Sequence, residues 1–142
     1  LLDNLMQQRE KHQQAFASNT REISVDDLDI SDLDQQFVRR AIREVEQGMD
    51  NPQFDVEYLA SQMAMSRSTF TRKIKAITGQ TPAELIKSIR MKHAYQMLRH
   101  RTASVAEVME RIGYNDHHTF TQSFRDMFGM LPSEVRSKGN AD

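Results

Sequence analysis

The stretch that decides the fold runs from Thr81 to Arg101 and reads TPAELIKSIRMKHAYQMLRHR. It opens with a helix start signal, because Thr81 is a good N-cap, Pro82 suits the first helical position and Glu84 completes a capping box. At about 100° per residue its apolar side chains form two arcs. One arc holds Leu85, Ile86, Ile89, His93 and Met97, and the other holds Met91, Ala94, Tyr95 and Leu98. Two separated stripes predict a long helix with a packed layer on each flank.

The sequences on either side of this helix repeat each other. Thr69-Phe70-Thr71 recurs as Thr119-Phe120-Thr121, Gly79 as Gly129, and Pro82 as Pro132, in each case 50 residues later. A repeat at a fixed period predicts two copies of one structural module.

The first copy, residues 55–79, is predicted to be two short helices joined by a tight turn. Asp55 is the expected N-cap of one helix, and Ser66 follows a turn at Ala64 and Met65 to cap the next, which stops at Gly79. This arrangement is the helix-turn-helix signature.

The second copy, residues 104–129, follows the same plan. Ser104 and Glu107 form a capping box, Gly113-Tyr114 makes the turn, and either Asn115 or Asp116 caps the next helix. The expected buried face of that helix consists of Phe120, Phe124, Met127 and Phe128, and a short helix begins at Pro132.

A supporting helix precedes the first copy. It is predicted to start at Ser31 and to stop at Gly48 and Asn51-Pro52, with an apolar stripe of Leu33, Phe37, Val38, Ala41, Ile42, Val45 and Met49. Residues 1–30 are predicted to be the end of a linker helix and an acidic linker that follow another domain. Because the chain starts at Leu1, we expect it to be a fragment of a longer protein. The prediction is therefore an all-α fold of about seven helices over residues 31–138, with the joining helix at 82–100.

Composition limits the functions open to the chain. With no cysteine among its 142 residues, disulfides, thiolate metal sites and cysteine nucleophiles are excluded. No apolar run approaches the roughly 18 residues of a membrane span. The net charge of −1 hides an uneven distribution. Residues 22–34 hold six acidic and no basic residues, whereas residues 66–101 hold nine basic residues against Glu84 alone, a local formal charge of +8.

The second helix of each copy has a polar face. In the first copy it comprises Arg67, Ser68, Thr71, Arg72 and Lys75, and in the second His117, His118, Thr121, Gln122 and Arg125. Arginine reads guanine and glutamine reads adenine in the major groove, so such faces suit DNA. Each face alone could simply be solvated, but two at matching offsets favour a shared function. With Ser66 and Asn115 at the helix starts, these residues form the candidate DNA-binding set, and no catalytic residue, metal or cofactor is predicted.

Residues from about 37 to 136 resemble the DNA-binding domain of AraC/XylS-type transcription activators. The matching stretches are Leu59-Ala60, Met65 to Ser68, Lys75 to Pro82, Ile89-Arg90, Ile112 to Asp116, Phe120 to Gly129 and Leu131 to Glu134. The resemblance implies two helix-turn-helix units on a joining helix, inserted into successive major grooves on one face of double-stranded DNA. It also implies a transcription activator that binds promoter operator sites, with RNA polymerase as a further partner.

The leader has a second resemblance. An acidic stretch followed by Asp34-Gln35-Gln36-Phe37-Val38 is similar to the output end of hybrid two-component regulators. This implies receiver and sensor domains upstream in the same chain and a homodimer in the full-length protein. The DNA-binding part would lie in the cytoplasm, and the full-length protein would be anchored in the inner membrane.

Three features depart from the family pattern. Ala64 stands where glycine is common, so we expect the first turn to close without a residue at positive φ. Gln122 stands where a basic residue is common, and Asp116 and Asp126 flank the same helix. We therefore predict that the first copy supplies most of the affinity for DNA.

Two other functions remain open at this stage. An enzyme or metal site is suggested by His117-His118 beside Asp116 and by His93 with His100, although adjacent helical histidines point about 100° apart. A helical protein-interaction module would use the nine methionines as an adaptable surface. The acidic residues 22–34 could cover the basic residues 66–101 in a resting state, or they could form a linker with no regulatory role.

Overall fold

The computed structural model describes residues 31–139, and the regular structure in that range is entirely helical. The seven helices are α1 (Asp32–Gly48), α2 (Val56–Gln62), α3 (Arg67–Thr78), α4 (Pro82–Arg99), α5 (Val105–Arg111), α6 (His117–Phe128) and α7 (Pro132–Lys138). The predicted all-α fold with two helix-turn-helix units is confirmed. The expectations for the acidic linker and the linker helix fall on residues 1–30, outside the described range.

The central helix α4 begins as its sequence predicts. The Thr81 hydroxyl accepts a hydrogen bond from the Glu84 N–H at 3.2 Å, and the Glu84 carboxylate accepts one from the Thr81 N–H at 3.0 Å. The helix packs against each of the other six described helices. It therefore forms the axis of the domain.

Two hydrophobic cores lie along this axis. The first joins α1, α2 and α3, the first unit, to Leu85, Ile86 and Ile89. The second joins α5, α6 and α7, the second unit, to Met91, Ala94 and Leu98. The prediction of a packed layer on each flank is confirmed.

Of the first arc of α4, Met97 does not join the first core, whereas His93 stays on the side of the first unit. Met97 packs on the second core, and His93 is only half-buried and bonds Glu46 of α1 at 2.7 Å. The first unit covers the N-terminal half of α4 and the second unit covers the C-terminal half. A helical wheel shows the sides of a helix but not this division along its length.

Leu33 is also not where the stripe of α1 predicts. Its side chain is 78% exposed, whereas the buried residues of this helix begin at Val38. Leu33 lies in the first turn, ahead of the part of α1 that packs on its neighbours. The periodic pattern gave the correct face of the helix but not the length over which that face is covered.

Both turns close with a residue in the left-handed region. Ala64 has φ +58° and Gly113 has φ +84°. In each case the next N–H reaches back to the preceding helix, from Met65 to the Ala60 carbonyl and from Tyr114 to the Met109 carbonyl, both at 3.0 Å. The expectation that the first turn avoids positive φ is wrong, because this hydrogen-bond pattern requires it. Alanine adopts the conformation at a cost of about 1–2 kcal/mol.

The second turn is one residue longer than the first. Helix α5 begins 49 residues after α2, whereas α6 begins 50 residues after α3. The additional residue lies between Gly113 and the N-cap, which is Asp116 rather than Asn115. The two helix-turn-helix pairs, α2–α3 and α5–α6, therefore follow the same plan but differ at the turn that precedes α6.

The glycine turns supply a test of close packing. A Cβ on Gly113 would lie 2.0 Å from the Met49 carbonyl oxygen, whereas a Cβ on Gly129, at a similar φ of +69°, would meet nothing within 4 Å. Gly129→Ala should lower the free energy of unfolding by about 1 kcal/mol, the cost of a left-handed alanine. Gly113→Ala should lower it by clearly more, because the backbone must also move. Urea unfolding followed by helical circular dichroism measures both, and equal losses would contradict the contact with Met49.

Candidate nucleic-acid interface

Helix α3 presents most of its predicted polar set to solvent. Phe70, Ile74 and Ile77 turn into the first core. Ser66, Arg67, Ser68, Arg72 and Lys75 are exposed, and Thr71 is half-buried. The structure thus brings these side chains together on one outward face.

The cations of α3 differ in their surroundings. The Lys73 ammonium lies 4.3 Å from the ring centroid of Phe37 on α1, so it points back across the protein. Arg67 lies 3.9 Å from Glu57, and both side chains are more than 60% exposed. Such an exposed pair contributes about 0–1 kcal/mol and leaves the guanidinium free to exchange partners. Within the described residues, the Arg72 and Lys75 side chains make no hydrogen bond or ion pair with the protein, so DNA would not have to compete for them.

Helix α6 carries the matching face of the second unit. Phe120 and Phe124 are fully buried. Asn115, His117, His118, Gln122 and Arg125 are exposed, and Thr121 is half-buried. The Gln122 amide donates to the Asp126 carboxylate at 3.0 Å. This hydrogen bond uses one of the two N–H donors of the amide and holds the Gln122 side chain along its own helix.

The starts of α3 and α6, the two candidate recognition helices, are alike in geometry and different in charge. At α3, the Ser66 hydroxyl accepts from the Thr69 N–H at 3.3 Å and donates to the Thr69 hydroxyl at 2.9 Å. At α6, the Asp116 carboxylate accepts from the Thr119 N–H at 3.0 Å and from the Thr119 hydroxyl. These hydrogen bonds hold the pKa of Asp116 below its ordinary value. The second recognition helix therefore begins with a fixed negative charge that the first lacks.

Residues 66–101 supply fewer cations to the outward faces of α3 and α6 than their nine basic residues suggest. Arg101 donates to the carbonyls of Arg136 at 2.9 Å and Ser137 at 2.6 Å, and so caps the end of α7. A cation there is favourable because helix C-termini carry partial negative charge. Lys92 is buried. On α3 itself the exposed cations are Arg67, Arg72 and Lys75.

The histidines do not assemble a metal site in the described part of the chain. No group of three or more histidine, aspartate or glutamate side chains is close enough there to hold an ion. His93 pairs with Glu46 on another helix, and His117 and His118 lie exposed at the start of α6. As for membranes, none of the described helices combines the length and apolarity that a membrane crossing needs.

The Ser66 cap can be separated from any role in DNA contact. Ser66→Ala should reduce the free energy of unfolding by about 1 kcal/mol, because the Thr69 N–H loses its partner, whereas Ser66→Asn should retain it. Ser68→Ala is the matched control, being the same change two residues on at an exposed site without a cap. Urea unfolding of the three variants decides, and an unchanged Ser66→Ala midpoint would refute the capping role.

The Asp116 cap gives a pH dependence of stability. Because folding lowers the pKa of Asp116, its carboxylate stabilises the folded state above the ordinary pKa of 3.8 and the benefit is lost as pH falls through the lowered value. Asparagine caps helices without titrating. Asp116→Asn should therefore lose less stability than the unmodified protein between neutral and acidic pH in urea unfolding. Asp50→Asn, at an exposed position that caps no helix, is the control and should follow the unmodified protein.

Comparison with known proteins agrees with this geometry. The family model described as a helix-turn-helix domain matches residues 59–138, from α2 to the end of α7. Histidine kinase P4 of Formosa agariphila is 31% identical over 137 residues, which cover 96% of this chain and 10% of the kinase. The chain thus spans about a tenth of the length of that relative.

Two solved structures have the same fold. A transcriptional regulator with an AraC-type DNA-binding domain from Chromobacterium violaceum superimposes with a TM-score of 0.69 at 21% identity, over 78% of this chain and 98% of that one. The DNA-binding domain of AdpA, a global transcriptional factor solved in complex with a target DNA, superimposes with a TM-score of 0.63 at 31% identity, over 76% and 93%. The chain belongs to the AraC-type helix-turn-helix family of DNA-binding transcription regulators.

Proposed function

We propose that residues 31–138 form a sequence-specific domain that binds double-stranded DNA at promoter operator sites, with α3 and α6 in successive major grooves. The observation that carries this proposal is the pair of exposed polar faces, at equivalent positions of two units, fixed to one central helix. Helix α4 has 18 residues, about 27 Å at 1.5 Å per residue. That length has the scale of the roughly 34 Å between major grooves one turn apart.

The two recognition helices take different roles in this proposal. In the first unit, Arg72 and Arg67 contact base edges, with Ser66, Ser68, Thr71 and Lys75 on bases and phosphates. In the second, Asn115, His117, His118, Thr121 and Arg125 contact mainly phosphates, since the Gln122 amide is held along its own helix by Asp126. The negative charge of Asp116 weakens these phosphate contacts. Phosphate contacts position a protein on DNA, and base contacts select the sequence. The first unit therefore selects the sequence. It also supplies most of the affinity, because Asp116 and Asp126 weaken the attraction of the second unit for phosphate.

The domain is proposed to be the output module of a hybrid two-component regulator that activates transcription. The support is the similarity to a histidine kinase across 96% of this chain, together with the resemblance of the leader. Residues 1–30 would then connect the domain to upstream receiver and sensor domains. RNA polymerase and a second copy of the full-length protein are further partners in this scheme, and the DNA-binding part acts in the cytoplasm.

Selection of binding sites from random double-stranded DNA, followed by gel shift at increasing salt, tests the proposal. Contacts to phosphate give affinity that falls steeply with ionic strength. A protein-interaction module would enrich no DNA sequence, and it would show no affinity for DNA that falls with ionic strength. Failure to enrich any sequence would refute sequence-specific binding.

On the selected site, Arg72→Ala should weaken binding by about 1–3 kcal/mol, the usual loss for a base-reading arginine. Gln122→Ala should cost less, because that side chain is already bonded within the protein. Arg43→Ala removes an exposed arginine from α1, outside both recognition helices, and is the control. A greater loss from Gln122→Ala than from Arg72→Ala would reverse the proposed order of the two units.

A further inference from the structure

Arg90 occupies the boundary between the two cores. Its neighbour Ile89 belongs to the first core and its other neighbour Met91 belongs to the second. The Arg90 guanidinium donates to the Asn51 carbonyl at 3.0 Å, in the loop that follows α1. The same guanidinium lies 5.9 Å from the ring centroid of Tyr114, in the turn of the second unit. One side chain therefore contacts both units.

The backbone makes a second connection beside it. A Cβ on Gly113 would lie 2.0 Å from the Met49 carbonyl oxygen and 3.0 Å from the Arg90 guanidinium. The turn of the second unit is thus packed directly against the end of α1, and Gly113 is buried there. This contact joins the units without passing through α4.

The chemistry of the junction favours a single arrangement. Burial lowers the pKa of Arg90 below its ordinary value, yet an arginine stays charged in proteins. A half-buried cation needs its acceptor and an aromatic face, and each of these comes from a different unit. Rotation of one unit about α4 would separate the cation from one of them.

We propose that Arg90 is a positioning residue that clasps the two units and thereby fixes the half-site spacing the domain accepts. The inference rests on the proposed DNA-binding function. One added base pair moves the second half-site by about 3.4 Å and turns it by roughly 35°. While Arg90 contacts both units, they cannot follow that change. Without these contacts, one unit can turn relative to the other about α4.

The first experiment compares the selected site with two derivatives that carry one base pair more or fewer between the half-sites. The unmodified protein should lose about tenfold or more in affinity on both derivatives, the scale of a lost half-site contact. Arg90→Met keeps the aliphatic stem and removes the guanidinium, so its loss on the derivatives should be smaller. Arg99→Met, an equal charge change at an exposed position of α4, should keep the spacing profile of the unmodified protein.

The second experiment measures the clasp without DNA. Because the chain has no cysteine, the substitutions Ala76→Cys and Ser133→Cys provide two exposed attachment sites in one protein. Each cysteine takes one nitroxide label. The distance distribution between α3 and α7 should be narrow in the doubly labelled protein, broader with Arg90→Met, and narrow with Arg99→Met. Arg90→Lys keeps the charge and should restore part of the narrow distribution.

These outcomes separate the two proposals. If the unmodified protein enriches no DNA but Arg90→Met broadens the distance distribution, the proposed function fails and the clasp stands. If the distribution or the spacing profile is the same in Arg90→Met as in the unmodified protein, the clasp is refuted whether or not DNA binds. Circular dichroism checks that the variants are folded, and Arg90→Gln, which also removes the guanidinium, takes the place of Arg90→Met if that variant is not.

Discussion

The structure depends on the burial of one helix by two separate units. Helices α2, α5 and α7 have only seven residues each, and helices of that length are marginal without tertiary packing. Each unit needs an apolar surface to cover its inner face, and α4 provides one for both. Its first half carries Leu85 and Ile89 into one core, and its second half carries Met91 and Leu98 into the other. Stability and the relative position of the units therefore have the same source.

The two helix-turn-helix pairs both turn at a residue with positive φ and have diverged in their surroundings. The turn of the first unit lies in solvent, so Ala64 can hold a positive φ at the cost of local strain alone. The turn of the second unit packs against the Met49 carbonyl, and a side chain there has no room. Glycine at 113 is thus required by the contact between units as well as by the turn. The recognition helices diverge in the same way, with a neutral cap at Ser66 and a charged one at Asp116.

The sequence was sufficient for features set by neighbouring residues. The predicted caps at Asp55, Ser66, Thr81 and Ser104 all form, because a cap is a contact over three residues. The errors concern distant partners. Periodicity placed Leu33 and Met97 on the apolar faces of their helices. It could not show which other helix, if any, covers the part of the helix in which each residue lies. The charge count could not show that Arg101 caps α7 or that Lys73 lies over Phe37. The roles of the candidate DNA-binding residues remain predictions.

Two recognition helices held in a fixed relative position would explain how a chain with a net charge of −1 could act on DNA. In the proposed complex each recognition helix alone would make few base contacts, and α6 has Asp116 at its start and Asp126 near its end. Once one unit is bound, a fixed connection holds the other at a high effective concentration over its half-site. The second unit then needs little affinity of its own, provided that its position is correct. A clasp at Arg90 would therefore turn geometry into specificity, since a site with the wrong spacing gains nothing from the second unit. Loss of the clasp would relax this selection before it removed binding itself, because the contacts of α3 do not pass through the junction.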